Sequence, residues 1–254
     1  MLKIFKHPLT RNLDIDDSKT TLLRRQIIQQ KPFLRRIYED WYKWISSNIP
    51  PGEERVLELG SGAGCLDEFL PGLITTEVFF CPFVRMILDG CAMPFANGSL
   101  KAIVMIDVFH HIPDAESFLR EAARCLRPGG KVLMVEPWVT TWSKFVYTYL
   151  HHEPIDAGAA EWSFSPSGPL SGANTALPWI VFERDRELFE SEFFQLVIKD
   201  ITIEKPLLYL LSGGVSLRGL MPGSSYRFFS AMENLLLPWM QKLGMFARIE
   251  LSRI

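Results

Sequence analysis

The sequence predicts an α/β fold organised as a doubly wound parallel sheet. Short apolar runs alternate with helical or loop segments between residues 53 and 136, a glycine cluster directly follows the first run, and acidic residues close the next three. Arg55-Val-Leu-Glu-Leu-Gly60 reads as the first strand, Ile74-Thr-Thr-Glu77 as the second and Met86-Ile-Leu-Asp89 as the third. Ala102-Ile-Val-Met-Ile-Asp107 is nearly all apolar, as a parallel strand covered on both faces should be, and Lys131-Val-Leu-Met-Val-Glu136 is the fifth. Between these two, Phe118, Leu119, Ala122, Cys125 and Leu126 form one helical stripe, capped by Asp114 and stopped at Arg127-Pro-Gly-Gly130.

Ahead of the sheet, Asp16 and Asp17 are candidate caps for a helix through Leu22, Leu23, Ile27 and Ile28. Pro32 suits the first position of a second helix, along which Leu34, Ile37, Trp41, Trp44 and Ile45 recur at helical spacing. The arginines and lysine of this region (Arg24, Arg25, Lys31, Arg35, Arg36) read as a solvated helix face. Beyond the fifth strand, 137–194 holds no clean strand and is rich in Trp, Pro, Gly and Ser. Phe194–Ile203 and Phe246–Ser252 are strand candidates separated by the apolar, helix-like stretch 205–245. The chain divides accordingly into a helical N-terminal cap (1–50), a core (51–136) and the remainder of the same domain (137–254).

A length of 254 residues with 48% hydrophobic residues supports a folded domain and excludes disorder, and a net charge of −2 offers no field for nucleic acid. Cys65, Cys81, Cys91 and Cys125 form no C-x-x-C pair, so neither a zinc cluster nor a redox dithiol is expected; they read as reduced thiols of a cytoplasmic protein. Residues 1–8 lack a continuous apolar segment, so no signal peptide is expected. The apolar runs 206–211 and 235–240 fall far short of the ~18 residues of a membrane span, which leaves only transient membrane contact open. His151-His152-Glu153 could be read as a metal cluster, but adjacent ligands converge poorly on one ion and no second half is visible, so no metal is expected.

Gly60-Ser-Gly-Ala-Gly64 lies between the first strand and an expected helix, where a doubly wound sheet binds a nucleotide-like ligand. Glycine there lets the backbone approach the ligand. The third glycine comes one residue earlier than in the G-x-G-x-x-G of dinucleotide folds, which argues against a nicotinamide dehydrogenase. Glu77, Asp89 and Asp107 all fall along the carboxyl edge of the predicted sheet.

Glu58-Leu-Gly-Ser-Gly-Ala-Gly64 resembles motif I of the class I S-adenosylmethionine-dependent methyltransferases. Asp89-Gly-Cys-Ala-Met-Pro-Phe95 is similar to that family's D-A-x-x-L-P-F segment, and Leu126-Arg-Pro-Gly-Gly-Lys131 to its L-K-P-G-G turn. Asp107-Val-Phe-His-His-Ile-Pro-Asp114 resembles the segment after strand four in the small-molecule branch. The resemblance implies a Rossmann-like, seven-stranded sheet with an antiparallel last strand, and S-adenosyl-L-methionine as cofactor. It implies cofactor contacts for Glu58, Gly60, Ser61, Gly62, Gly64, Glu77, Asp89, Gly90 and Asp107. Among these, Glu77 would accept both ribose hydroxyls, Asp89 the adenine amino group, and Asp107 would border the methionine end. The stretch between Glu77 and Asp89 is too short for the family's usual helix, so Val78-Phe-Phe-Cys-Pro-Phe83 must replace it, with Phe79, Phe80 and Phe83 as candidates to stack on the adenine.

No N-P-P-Y or D-P-P-Y motif follows the fourth strand, so the expected acceptor is a small, hydrophobic or lipid-like molecule rather than a nucleic acid, methylated at oxygen. His111 and His110 are the nearest catalytic candidates for its proton, with a helix-entry side chain bonded to backbone as the alternative for His111. Glu136, Trp138, Glu153, Asp156, Glu161 and Trp162 lie where the family builds its acceptor pocket. The stretch 205–245 is either a lid hinged at Gly213 and Gly214, or core or interface packed on 137–194. The rival function is a non-catalytic binding subunit of the same fold acting with a partner protein, which would bind the cofactor without consuming it. The oligomeric state is not legible.

Overall fold

The computed structural model describes residues 16–151, 153–165, 168 and 171–254. Strands β1 (Arg55–Glu58), β2 (Ile74–Glu77), β3 (Met86–Ile87), β4 (Leu100–Ile106), β5 (Leu126–Pro137), β6 (Leu196–Glu204) and β7 (Phe246–Arg253) form one sheet in the order β3-β2-β1-β4-β5-β7-β6. The first five pair in parallel, and β7 runs antiparallel between β5 and β6. Parallel pairing puts the carboxyl ends of β1 to β5 on one edge, and that edge carries the acids singled out above.

Both faces of the sheet are covered, which explains the apolar runs. Along β4, Ile103 and Met105 point into one apolar cluster and Ala102 and Val104 into the other. The first cluster is closed by α3 (Ala115–Cys125), α5 (Leu177–Trp179) and α6 (Arg186–Glu192), and the second by α2 (Pro32–Asn48) and α4 (Thr141–Leu150). Asp17 caps α1 (Ser18–Gln30) by accepting from the Lys19 N–H at 2.9 Å, and Asp114 caps α3 through the Ser117 N–H at 2.9 Å. No helix among the described residues is long and apolar enough to cross a membrane.

Three local expectations change. The glycine loop leads into a single 3₁₀ turn, Leu66–Glu68, instead of a helix, because Pro71-Gly72 leaves no room to continue before β2. Arg127–Gly130 does not separate α3 from β5 but lies inside β5, where the pairing jumps from Leu100↔Leu126 to Ala102↔Lys131. The basic N-terminal face is also only partly solvated. Arg25 donates to the Gly64 carbonyl and lies over the Phe83 ring, and Lys31 Nζ donates to the carbonyls of Gly214 (2.6 Å) and Leu217 (3.0 Å).

The stretch 205–245 folds into α7 (Leu208–Ser212), α8 (Tyr226–Asn234) and α9 (Met240–Leu243). It packs mainly on α2, with Tyr209 stacked on Trp41 at 6.1 Å and Tyr226 edge-on to Phe33 at 5.3 Å. A contact with α4 supplements this, Trp142 Nε1 donating to the Pro206 carbonyl at 2.9 Å. Leu210 and Gly213–Leu217 meanwhile form part of a cavity wall, so the segment is at once core and wall.

Candidate functional site

A cavity of ≈ 550 Å³ opens at the carboxyl edge of the sheet, within the range of roughly 300–1,000 Å³ typical of small-molecule sites. Its floor is the glycine loop. Ser61 ties the loop to the sheet: its hydroxyl donates to Glu58 Oε2 at 2.6 Å and accepts from the Thr76 N–H at 3.0 Å. The N-terminal helices clamp the loop from above through Arg25 and through the Tyr42 hydroxyl, which accepts from the Cys65 N–H at 2.8 Å. No signal in the sequence pointed to either clamp, since both partners sit on ordinary amphipathic helices.

Gly60 and Gly62 have φ of +58° and +45°, a left-handed conformation that side chains rarely adopt. Glu77 stands across the loop, 5% exposed, so close that a Cβ on Gly62 would come within 3.1 Å of Oε1. Burial pushes the Glu77 carboxyl up to about 7, against the N–H groups of Val78 and Gly62, which favour the carboxylate. Glu58 is also raised by burial to about 7, against the Ser61 hydroxyl. Asp89 sits on the rim beside Gly90, and its Oδ1 accepts from the Cys91 N–H at 2.8 Å. Val78 and Leu88 line the cavity next to Glu77, whereas Phe79, Phe80 and Phe83 do not, which corrects the expected aromatic floor.

Asp107, at the end of β4, adopts φ +62° and reaches the cavity where the two ends of the site meet. Burial raises its carboxyl to about 7; the neighbouring His110 opposes this, while Glu153 and Glu136 add to it.

Beyond Asp107 the chain makes one 3₁₀ turn, Phe109–His111. Glu136 at the end of β5 caps that turn: Oε1 accepts from the Val108 and Phe109 N–H groups, each at 2.8 Å, and Oε2 lies 2.8 Å from His110 Nδ1. His110 is fully buried and does not line the cavity, so of the two histidines only His111 borders it. Burial alone would lower the His110 pKa, but the Glu136 and Glu153 carboxylates hold it well above the ordinary value. His111 is lowered to about 4 by burial and by its charged neighbour His110. Its Nδ1 lies 3.0 Å from the Gly172 carbonyl, so it does make the backbone contact considered above, while its Nε2 lies 3.8 Å from Glu153 Oε1.

The sequence placed Glu153 in the acceptor-pocket stretch but did not reveal its pairing with His110. Glu153 comes from the irregular stretch after α4 and stands 3.3 Å from His110 Nε2. Burial would raise its carboxyl, but His110, His111 and His151 hold it well below the usual range. His152 lies outside the described residues. The far wall is apolar and aromatic, with Tyr147, Leu150, Tyr209, Leu210 and Leu217.

Residues 57–134 match the family model described as a methyltransferase domain. The ubiquinone biosynthesis O-methyltransferase of Xanthomonas axonopodis pv. citri is 23% identical over 111 residues, covering 36% of this chain and 46% of that protein. The demethylmenaquinone methyltransferase of Streptomyces griseus is 30% identical over 93 residues, covering 36% and 40%. The match thus spans less than half the length of these relatives. Among solved structures, the geranyl diphosphate C-methyltransferase of Streptomyces coelicolor A3(2), in complex with Mg2+, geranyl diphosphate and S-adenosyl-L-homocysteine, shares the fold with a TM-score of 0.54 at 11% identity, over 91% of this chain and 84% of that one.

Proposed function

We propose that this chain, which carries a class I S-adenosylmethionine-dependent methyltransferase domain, transfers the methyl group of S-adenosylmethionine to an oxygen of a small, hydrophobic acceptor. One observation supports this above the others. A single cavity joins a glycine cradle faced by Glu77 to a chamber bounded by His111, Glu153 and an apolar wall, with Asp107 between them. The cradle fits the cofactor, because the absent side chain of Gly62 keeps open the space in front of Glu77 that a ribose would fill.

When bound, S-adenosylmethionine supplies a methyl group on a positively charged sulfonium whose leaving group is a neutral thioether. The chain's own task is therefore alignment and desolvation. In this reading Gly60, Gly62 and Gly64 lie along the methionine part, and Glu58 stiffens the loop through Ser61. Glu77 accepts from both ribose hydroxyls, two carboxylate oxygens matching a vicinal diol. Asp89 and Gly90 border the adenine, and Asp107 borders the methionine end. His111 faces the acceptor or its proton, and His110 positions it from behind. Exposed Phe228, Leu235, Leu237 and Trp239, with Arg227 and Lys242 among them, suit transient contact with a membrane from which a lipid-like acceptor is drawn.

The test supplies methyl-labelled S-adenosylmethionine and fractionated small-molecule and lipid extracts. Label entering an organic-phase product, with one S-adenosylhomocysteine formed per methyl, supports the reading. Cofactor binding without transfer into any fraction favours the non-catalytic subunit, and binding of NAD instead overturns the whole reading.

A further inference from the structure

The histidine pair of 110–111 is the second half that His151-His152-Glu153 lacked in the sequence. We propose that His110, His111 and Glu153 form a binding site for one divalent first-row transition-metal ion of the Zn2+ type at the acceptor end of the cavity. One ligand atom from each residue, an imidazole nitrogen or a Glu153 oxygen, lies within 4.8 Å of those of the other two. The closest approaches are 3.3 Å from His110 Nε2 to Glu153 Oε2 and 3.8 Å from His111 Nε2 to Glu153 Oε1. Spacings of this size separate ligands that share one ion at roughly 2.0–2.2 Å from each.

Two further observations point to a ligand. His110 Nε2 is buried, and although Glu153 Oε2 lies 3.3 Å away it makes no hydrogen bond of good geometry, so a buried polar atom is aimed into the cluster unsatisfied. Both imidazoles are also oriented from behind. The Gly172 carbonyl can only accept, so it fixes the proton of His111 on Nδ1 and leaves the lone pair on Nε2. The Glu136 carboxylate keeps a proton on His110 Nδ1, so the proton that an incoming ion displaces from this ring is the one on Nε2. A carboxylate and a backbone carbonyl holding the outer nitrogens are the usual supports of metal-bound histidines. Two imidazoles and one carboxylate suit Zn2+, Fe2+ or Co2+, not Mg2+ or Ca2+, which take oxygen ligands.

His111 and Glu153 line the cavity while His110 closes the site from behind, so the remaining coordination positions of the ion face the acceptor chamber. An acceptor hydroxyl bound there would give its proton to solvent and present its oxygen to the methyl group, with the ion holding the charge. His111 would then be a ligand, and its ring would not take the proton. This role rests on the methyl-transfer reading; the binding of the ion does not.

Titration of metal-free protein with Co2+, followed by its visible absorption, separates the two. The expected result is one Co2+ per chain, displaced by Zn2+, lost in His111→Ala and in Glu153→Gln. Glu136→Gln keeps all three ligands, but its amide would donate to His110 Nδ1 and move the ring proton to Nε2. It should weaken Co2+ about 10- to 100-fold. Binding of S-adenosylhomocysteine, measured on the same variants, reports whether each is folded. Absence of Co2+ binding below millimolar concentration in the wild type overturns the site, and so does Co2+ binding that Glu153→Gln leaves intact. Either result leaves the methyl-transfer reading standing.

Discussion

Glu136 holds His110 at 2.8 Å while its other oxygen caps the turn that carries His110, so one buried carboxylate at the end of β5 fixes both the backbone and the ring at the end of β4. All three contacts are made by a side chain with no exposed surface. Replacing it by alanine strands two backbone N–H groups and an imidazole away from water. Glu136→Ala should therefore cost about 3 kcal/mol or more, lowering Tm by roughly 6–12 °C. Glu136→Gln keeps an acceptor for the two N–H groups and should cost less. Thermal unfolding of both variants measures this; equal, small losses would mean that the cap contributes little.

Glu77 leads to a pH prediction. Its folded value of about 7 lies above the ordinary 4.5, so the ligand-free protein holds this proton more tightly than the unfolded chain does. The stability it contributes is fully present below about 4.5 and is lost as the pH rises through about 7. Ribose hydroxyls donate to the carboxylate form, so binding follows the opposite sense. Affinity for S-adenosylhomocysteine should be about tenfold weaker at pH 6 than at pH 8. Glu77→Gln should weaken binding about ten- to a hundredfold at pH 8 and flatten that dependence. Calorimetry at the two pH values checks both, and unchanged affinity in the variant would remove the ribose assignment.

Two glycines of the same loop should fail in different ways. A Cβ on Gly60 would come within 2.5 Å of Val108 Cγ2 in the packed wall of the cavity, at φ +58°. Gly60→Ala should therefore lower Tm. Valine at Gly62 would project toward Glu77 and the space before it, with a first contact of 3.1 Å to Oε1, and would carry strain of its own at φ +45°. Gly62→Val should therefore also lower Tm but, where folded, lose S-adenosylhomocysteine binding, whereas folded Gly60→Ala should keep it. Unfolding curves and binding isotherms on both variants distinguish the two losses.

The strands were legible because a parallel strand covered on both faces reads as a short apolar run, as Ala102 to Met105 show, while β7 reads by alternation. The loop glycines and Glu77, Asp89 and Asp107 were legible because strand ends place them on one edge. The pairing of Glu153 with His110 was not. Glu153 reaches His110 through a stretch held by side chain-to-backbone bonds, such as Asn174 Oδ1 accepting from the Asp156 N–H at 2.9 Å and Asn174 Nδ2 donating to the Asp156 carbonyl at 3.0 Å. Such bonds have no periodicity. The same holds for Arg25 and Lys31, whose partners are carbonyls distant in sequence, and a carbonyl carries no residue-type signal.

Lys31 closes the last wall of the cavity. Its ammonium donates to Gly214 and Leu217, the turn that follows the left-handed Gly213 at the end of α7, and Gly213 to Leu217 face the chamber. Burial lowers this amine from 10.5 to about 8, so at neutral pH it is still charged when it meets the two carbonyls. Lys31→Met keeps the apolar stem and removes both donors, and neither the glycine loop nor the histidine cluster is touched. The expected result is a turn that opens more often: hydrogen exchange at 214–217 should speed up roughly ten- to a hundredfold, matching the loss of about 1.5–3 kcal/mol from hydrogen bonds to a charged group. S-adenosylhomocysteine affinity should stay within twofold, while the KM for the acceptor rises. Exchange that is unchanged at 214–217 would show that packing of Tyr209 on Trp41 and Phe246 holds the wall without the lysine.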